Sequence, residues 1–315
     1  MKPSIVLSNP DEQCVTFFWE EMPQNHLGYR FVEGQPTVVE QPIVGYETQP
    51  IARLADLPPV TVTSHKQISN PLWKKDWLTT YSQANPQASI PFTFHLSDNN
   101  VAHIHCIEND GQQRRELLLQ PFTHGVRISV TLSTRETIPG SYCLQQCLRF
   151  TGMFNASWRQ SVAYIPFLSE LDMQAMGNTN GTLTYGRRDN QWFKFPVQHI
   201  VYPMHNASWK SHEPLGDRVD HGLIVRETPS RQFAPAIYWE RVAPNSTWKQ
   251  ITSGMYWERT AFISNRHSAD CVHAWIDFGP LEAGQSRTLT GVVYFIEGSK
   301  DDLLAVWQQD YAVGG

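Results

Sequence analysis

The chain has 315 residues, of which 41% are hydrophobic and 17% charged, and its formal net charge is -5. This composition is too apolar for a disordered chain, which combines low hydrophobicity with high charge. The mild negative charge argues against a nucleic-acid partner, because nucleic-acid proteins carry dense basic patches. No stretch approaches the roughly 20 apolar residues of a membrane helix, and the start lacks the apolar run of a signal peptide. We therefore expect a cytoplasmic globular protein without a membrane partner, or a periplasmic or secreted one if a leader was removed.

Proline recurs every few residues between positions 36 and 91. Proline lacks a backbone donor and fixes φ, so long central strands and helices are excluded there. We predict that residues 1–90 form a Pro-rich N-terminal layer of the same fold. We predict that residues 91–315 form the β-sandwich core with a C-terminal helix.

Period-two alternation begins near residue 92. Residues 91–96 alternate, 98–100 form a turn, and 109–111 (Asn-Asp-Gly) give a strong hairpin signal after the strand 101–107. Val126, Ile128, Val130 and Leu132 are predicted to share one face of a further strand. Later predicted strands are Ser141–Arg149, Gly181–Tyr185, Trp192–Val197, Gly222–Arg226, Ala236–Arg241, Gly254–Phe262, Cys271–Phe278 and Arg287–Phe295. About a dozen strands with few helices predict an all-β fold, a large antiparallel two-sheet sandwich.

One helix is predicted at the C-terminal end of the chain. Ser299-Lys-Asp-Asp302 is a variant of the capping box, with Asp in place of Glu. Leu303, Trp307 and Tyr311 follow at intervals of four, which places them on one helix face. We expect this face to pack on a sheet.

The five cysteines show no short metal-binding or disulfide spacing. Cys143 and Cys147 would share one face of a strand. We interpret the cysteines as free buried thiols, and no cofactor is predicted.

The tetrapeptide Tyr-Trp-Glu-Arg occurs twice, at Tyr238–Arg241 and Tyr256–Arg259. If the copies are antiparallel neighbours, Glu240 lies opposite Tyr256. Such pairs stabilise a sheet by about 0.2–1 kcal/mol each. The functional alternative is that Tyr238 and Glu240 perform acid–base chemistry, because a carboxylate beside a tyrosine can transfer protons.

A polar segment from His205 to His221 lies between strand signals and includes His212. Long loops on a rigid β scaffold often carry binding or catalysis. His205 and His221 are therefore candidate catalytic residues, with a metal site and a plain solvated loop as alternatives.

Other histidines lie within predicted strands. His103 and His105 share one face, and His95 could reach them across a hairpin, so a metal site is an alternative there too. His273 shares a face with Trp275 and is interpreted as a satisfied, half-buried histidine.

Arginine and tryptophan supply the predicted substrate contacts. Arg149 and Arg188 could hold a carboxylate or phosphate by bidentate bonds, although Arg149 could equally pair with an acid inside the fold. Trp158, Trp209 and Trp257 are predicted to stack on sugar rings, with chance turn patterns or core packing as the alternatives.

Several familiar sites are absent from the sequence. It contains no Gly-rich phosphate loop, Gly-x-Ser-x-Gly elbow, His-Glu-x-x-His or Cys-x-x-Cys motif. These absences disfavour nucleotide chemistry, the common α/β serine hydrolases and zincin chemistry.

The C-terminal half resembles the end of galactose-mutarotase-like β-supersandwich proteins. The resemblance rests on His273–Gly291, Val292–Gly298 and the final helix, and Gln145–Gly152 resembles uncharacterised bacterial proteins. That group includes polysaccharide lyases and glycoside hydrolases, and it implies a concave sheet that binds a carbohydrate. Mutarotases in the group use a histidine pair and a carboxylate base, and their Asn-His-x-x-x-Asn type of motif is not matched here.

We therefore predict a carbohydrate-active enzyme that binds an oligo- or polysaccharide on a sheet face. A lyase or hydrolase of an acidic glycan is favoured. Tyr238 or His205 would take a proton, Glu240 or His221 would assist, and Arg149 or Arg188 would neutralise the carboxylate. The alternatives are a non-catalytic carbohydrate-binding protein and a metal-dependent β-barrel or sandwich enzyme. Substrate, stereochemistry and oligomeric state stay open.

Overall fold

The strands of this protein form one hydrogen-bonded network. The computed structural model describes residues 2–9, 14–20, 26–30, 37–39, 92–108, 112–140, 142–150, 162–164, 183–188, 191–196, 209–211, 220–228, 230–234, 236, 239–240, 245, 247–266 and 271–314. The strands in these ranges are β1 (Ser4–Asn9), β2 (Cys14–Phe18), β3 (His26–Arg30), β4 (Thr37–Val39), β5 (Phe92–Leu96), β6 (Ala102–Glu108), β7 (Gln113–Phe122), β8 (Gly125–Thr134), β9 (Tyr142–Phe150), β10 (Val162–Tyr164), β11 (Leu183–Arg188), β12 (Gln191–Pro196), β13 (Trp209–Ser211), β14 (Asp220–Glu227), β15 (Ile251–Arg266), β16 (Cys271–Asp277) and β17 (Ser286–Glu297). The helix α1 spans Lys300–Gly314.

Sheet one has the strand order β5-β6-β7-β8-β17-β15-β14-β10, and every neighbouring pair is antiparallel. The predicted turn at 98–100 joins β5 to β6, and Asn100 adopts the left-handed conformation with φ 60°. The predicted hairpin around 109–111 is confirmed by its flanking strands, which pair Glu108 with Gln113.

Sheet two has the order β1-β2-β3-β9-β16-β15-β11-β12, also antiparallel throughout. The short strand β13 pairs with the start of β9 and runs parallel to β4.

The 16-residue strand β15 belongs to both sheets. Ile251–Trp257 lies between β14 and β17, whereas residues 262–265 lie between β11 and β16. The pairing register shifts on both sides of Thr260. Bulges bend a strand and increase its twist, so these shifts take β15 from one sheet to the other.

The core lies between the two sheets, which makes the fold an antiparallel two-sheet sandwich as predicted. Strand β8 shows the predicted alternation, because Val126, Ile128, Val130 and Leu132 are all buried. A single apolar cluster joins these residues to side chains of sheet two such as Ile276.

Helix α1 covers the outer face of sheet one, as predicted. The Ser299 backbone N–H and hydroxyl both bond the Asp302 carboxylate, at 2.7 and 2.8 Å. Leu303 and Trp307 are buried against β14, β15 and β17, and Tyr311 stacks on Trp307 with ring centroids 5.6 Å apart.

The predicted strand Ala236–Arg241 is wrong. Trp239 and Glu240 are helical, and Trp239 enters the core with 1% exposure. Prolines at 229, 235 and 244 flank this stretch, and proline disfavours ladder pairing while suiting a first helical turn. The expected pairing with Tyr256 is therefore also wrong, because Tyr256 lies opposite Leu223 and Val292.

Within the N-terminal part, the described strand β3 pairs directly with β9 of the sandwich. The division at residue 90 stays a prediction. Cys106, Cys143 and Cys147 are buried thiols outside any disulfide, as expected. None of the helical residues that the structure describes forms a segment long and apolar enough to cross a membrane.

Candidate functional site

Strand β16 is buried on both faces, and the two faces differ in chemistry. One face belongs to the apolar core and carries Val272, Ala274 and Ile276. The other face carries His273, Trp275 and Asp277, none more than 1% exposed. Burying polar groups is costly unless they are bonded, so a buried polar face is more informative than an exposed one.

Strand β9 extends this polar face, because its residues lie directly opposite those of β16. The facing pairs are Cys147 with His273, Gln145 with Trp275, and Cys143 with Asp277. All six side chains are at most 3% exposed. We call these six residues the polar row.

His273 and Trp275 form the centre of the polar row. Their ring centroids are 5.8 Å apart, and the rings meet edge to face at 61°. An imidazole is the side chain best suited to proton transfer near neutral pH. An indole offers an apolar face to the C–H face of a sugar. These two groups, with the Gln145 amide opposite Trp275, could bind and act on a polyhydroxylated ligand.

Asp277 closes one end of the polar row and has a structural task. Its carboxylate accepts backbone N–H bonds from Tyr142 at 3.1 Å and Gly279 at 2.8 Å. Arg259 lies 3.9 Å from the same carboxylate and donates to the Asp277 carbonyl at 2.9 Å. Burial raises the pKa of the Cys143 thiol, and the neighbouring Asp277 charge raises it further. Cys143 is therefore a protonated, inert thiol.

Arg149 lies at the other end of the polar row. Its backbone pairs with Cys271 of β16 and Gly28 of β3. Since alternate strand residues share a face, position 149 belongs to the face of Gln145 and Cys147. By register, Arg149, the predicted carboxylate-binding residue, is two positions along β9 from Cys147, which lies opposite His273.

The other predicted site residues are not brought together by the described part of the chain. His205, Tyr238 and Trp158 lie outside the described residues. Only the backbone is described for Arg188 in β11, Trp209 in β13 and His221 in β14. His221 occupies the register shift opposite β15, a kind of position often found beside active sites.

Two predicted residues have described side chains that lie away from the polar row. Glu240 is exposed on a helical turn. Trp257 is fully buried in the core, where a Cβ placed at Gly291 would lie 2.4 Å from its ring. The expected stacking of Trp257 on a sugar is therefore corrected, because its indole belongs to the apolar core between the two sheets.

The histidines of β5 and β6 lie on the exposed face of sheet one. His95 is directly opposite His103, with ring centroids 6.4 Å apart. His105 receives a hydrogen bond from Arg114. Among the residues that the structure describes, no three His, Cys, Asp or Glu side chains converge as a metal site.

From the sequence, His273 is interpreted as a satisfied, half-buried histidine and not as a site residue. The alternation of β16 correctly placed His273 and Trp275 on one face, but the side chain is fully rather than half buried. The signal that could have singled it out is the adjoining pattern of Gln145 and Cys147, which share one face of β9 and lie opposite Trp275 and His273.

Comparison with known proteins yields structural neighbours only. Neither a protein-family model nor a curated protein sequence matches this chain. Three solved structures match 67% of it: a candidate aldose 1-epimerase from Escherichia coli K12 (TM-score 0.31, 8% identity, 70% of that chain), a galactose mutarotase related enzyme from Lactobacillus acidophilus (0.32, 7%, 73%) and a galactose mutarotase-like protein from Lactobacillus casei (0.32, 7%, 74%). These proteins belong to the group that the sequence resembles.

Proposed function

We propose that this protein is a carbohydrate-active enzyme whose saccharide binds at the polar row, with an acidic glycan as the favoured substrate. The observation that carries the proposal is the burial of His273 beside Trp275 on a polar sheet face. The opposite face of the same strand is wholly apolar, so the polar character belongs to this face alone.

Each group has a distinct task in this proposal. His273 transfers the proton, Trp275 contacts the apolar face of the sugar ring, and Gln145 bonds a hydroxyl. Arg149 pairs with the carboxylate of a uronate, since guanidinium and carboxylate match as a bidentate pair. The roles of His205, His221, Tyr238, Glu240, Arg188, Trp158 and Trp209 stay predictions.

Two reactions fit these groups. In elimination, a base removes the proton α to the uronate carboxylate, a double bond forms, and the glycosidic oxygen leaves with a proton. In hydrolysis, an acid protonates the glycosidic oxygen, the bond from the sugar carbon to that oxygen breaks, and water adds to the carbon with loss of one proton. An arginine on the carboxylate favours elimination, because it stabilises the charge that develops when the α proton is removed.

Mass spectrometry of products from a panel of acidic and neutral polysaccharides tests the proposal. Unsaturated products without added water identify a lyase, and products that have gained water identify a hydrolase. The variant His273→Gln should release neither, because the amide cannot transfer the proton. His124→Gln is the matched control, since His124 lies on the far sheet against Phe122.

Intact glycans that nonetheless bind would support the non-catalytic alternative. Intact glycans with no binding would overturn the proposal for that panel. Full activity of His273→Gln would show that the polar row does not carry out the proton transfer.

A further inference from the structure

The hairpin β5–β6 presents two histidines at directly opposed positions. His95 of β5 pairs with His103 of β6, and both side chains are exposed. Opposed residues on one face of an antiparallel pair have Cβ atoms about 4.5–5.5 Å apart. The backbone therefore holds the two Cβ atoms side by side, and rotation about the side-chain bonds decides how closely the imidazoles approach.

The end of this hairpin is anchored to the rest of the sandwich. The turn is closed by the Ser97 N–H on the Val101 carbonyl at 3.0 Å. The Asn100 amide then donates to the Pro3 carbonyl at 3.0 Å and accepts from the Ile5 N–H at 3.1 Å. These bonds tie the turn beside both histidines to the N-terminal strand, so the backbone of the pair is preorganised.

The separation of the rings suits a shared metal ion. A nitrogen of each ring would lie about 2.0–2.1 Å from the ion, which puts the two ring centroids about 5–6 Å apart. The observed centroid separation is 6.4 Å. Because both rings are exposed, a small rotation about their side-chain bonds brings them to this distance at little cost.

The neighbouring polar groups of this face are already engaged with each other. Arg114 donates to His105 and lies 3.5 Å from the Glu116 carboxylate. This three-residue network occupies the next position along the face and leaves the opposed pair as the two protein ligands. Water would complete the coordination.

We propose that His95 and His103 form a surface site for a divalent transition-metal ion of the kind that imidazole prefers, such as Ni²⁺, Cu²⁺ or Zn²⁺. This site is separate from the polar row and independent of the proposed function. Binding bridges β5 to β6 and stabilises the folded hairpin, because the unfolded chain does not hold the two rings together.

Titration calorimetry with Ni²⁺ tests the site on the full chain. The variants His95→Gln and His103→Gln should each bind one equivalent of Ni²⁺ fewer than the wild-type chain. The double variant should also bind only one equivalent fewer, because both histidines belong to the same site. Ni²⁺ should also raise the thermal midpoint of the wild-type chain more than that of either variant.

His124→Gln is the matched control and should keep the full stoichiometry. Without metal, His95→Gln and His103→Gln should unfold at the same temperature as the wild-type chain, because both positions are exposed. This comparison separates a loss of metal binding from a loss of folding. Equal Ni²⁺ stoichiometry in the wild-type chain and both single variants would overturn the proposal. The loss of two equivalents in the double variant would overturn it too, because each histidine would then bind its own ion.

Discussion

Strand β16 presents apolar side chains on one face and polar ones on the other, although both faces are buried. The core face of β16 carries Val272 and Ile276, and the opposite face carries His273 and Asp277. An apolar residue on either face would be explained by packing alone. A buried imidazole adds a desolvation cost that an apolar side chain does not. We propose that function lies on this side of a strand whose other side is structural.

The largest effect on the free energy of unfolding is expected from a substitution in the apolar core. Trp257→Ala removes a fully buried indole beneath Gly291 and should lower the free energy of unfolding by about 3–5 kcal/mol. Urea denaturation measures the loss. Thr288→Ala, on the exposed face of sheet one, removes only a hydrogen bond to the Thr131 hydroxyl and should change it by no more than about 1 kcal/mol. A small loss for Trp257→Ala would place its indole at a surface and restore a ligand-stacking role.

The sequence predicted the core residues well wherever their burial depends on the pattern within a single strand. The alternation of Val126 to Leu132 and the cap at Ser299 depend only on neighbouring residues, and both are confirmed. Pairing between distant strands does not follow from local pattern. The second Tyr-Trp-Glu-Arg copy therefore received the wrong partner, and the meeting of Gln145 with Trp275 was not foreseen.

A smaller effect separates the two kinds of polar residue on the polar face of β16. Asp277→Ala leaves the N–H groups of Tyr142 and Gly279 without their acceptor. It should lower the free energy of unfolding by about 1–3 kcal/mol. Thermal and urea unfolding should be measured for Asp277→Ala and for His273→Gln. Asp277→Ala should mainly lower stability, whereas His273→Gln should mainly change activity. Equal stability of Asp277→Ala and the wild-type chain would contradict a structural task for Asp277.

The helix that covers sheet one gives a third, lesser effect. Ser299→Ala removes an N-cap hydroxyl and should cost about 1 kcal/mol, read from the urea midpoint. Hydrogen bonds from Ser299 lower the pKa of Asp302. Because folding lowers this pKa, the capping contribution is present above the unfolded carboxyl's pKa and is lost as pH falls. The difference between the wild-type chain and Ser299→Ala should therefore shrink in acid, and a constant difference would argue against the cap.

No effect at all is expected from thiol reagents on folded Cys143. Burial and the Asp277 charge raise its pKa, so the reactive thiolate is scarce near pH 8. Folding raises this pKa, so the associated stability is present below the unfolded thiol's pKa of about 8.5 and is lost as pH rises further. Peptide mass spectrometry after iodoacetamide treatment should show Cys143 unmodified in the folded chain and modified in urea. Rapid modification of the folded chain would contradict its burial.

Calorimetric titration of uronate-containing oligosaccharides into the wild-type chain and His273→Gln tests the central claim most directly. The account predicts one saccharide per wild-type chain and an affinity at least about tenfold weaker for the variant, the equivalent of one hydrogen bond of about 1.4 kcal/mol. His124→Gln should match the wild-type chain. Equal affinities for the wild-type chain and His273→Gln, or no binding by either, would contradict a saccharide site at the polar row.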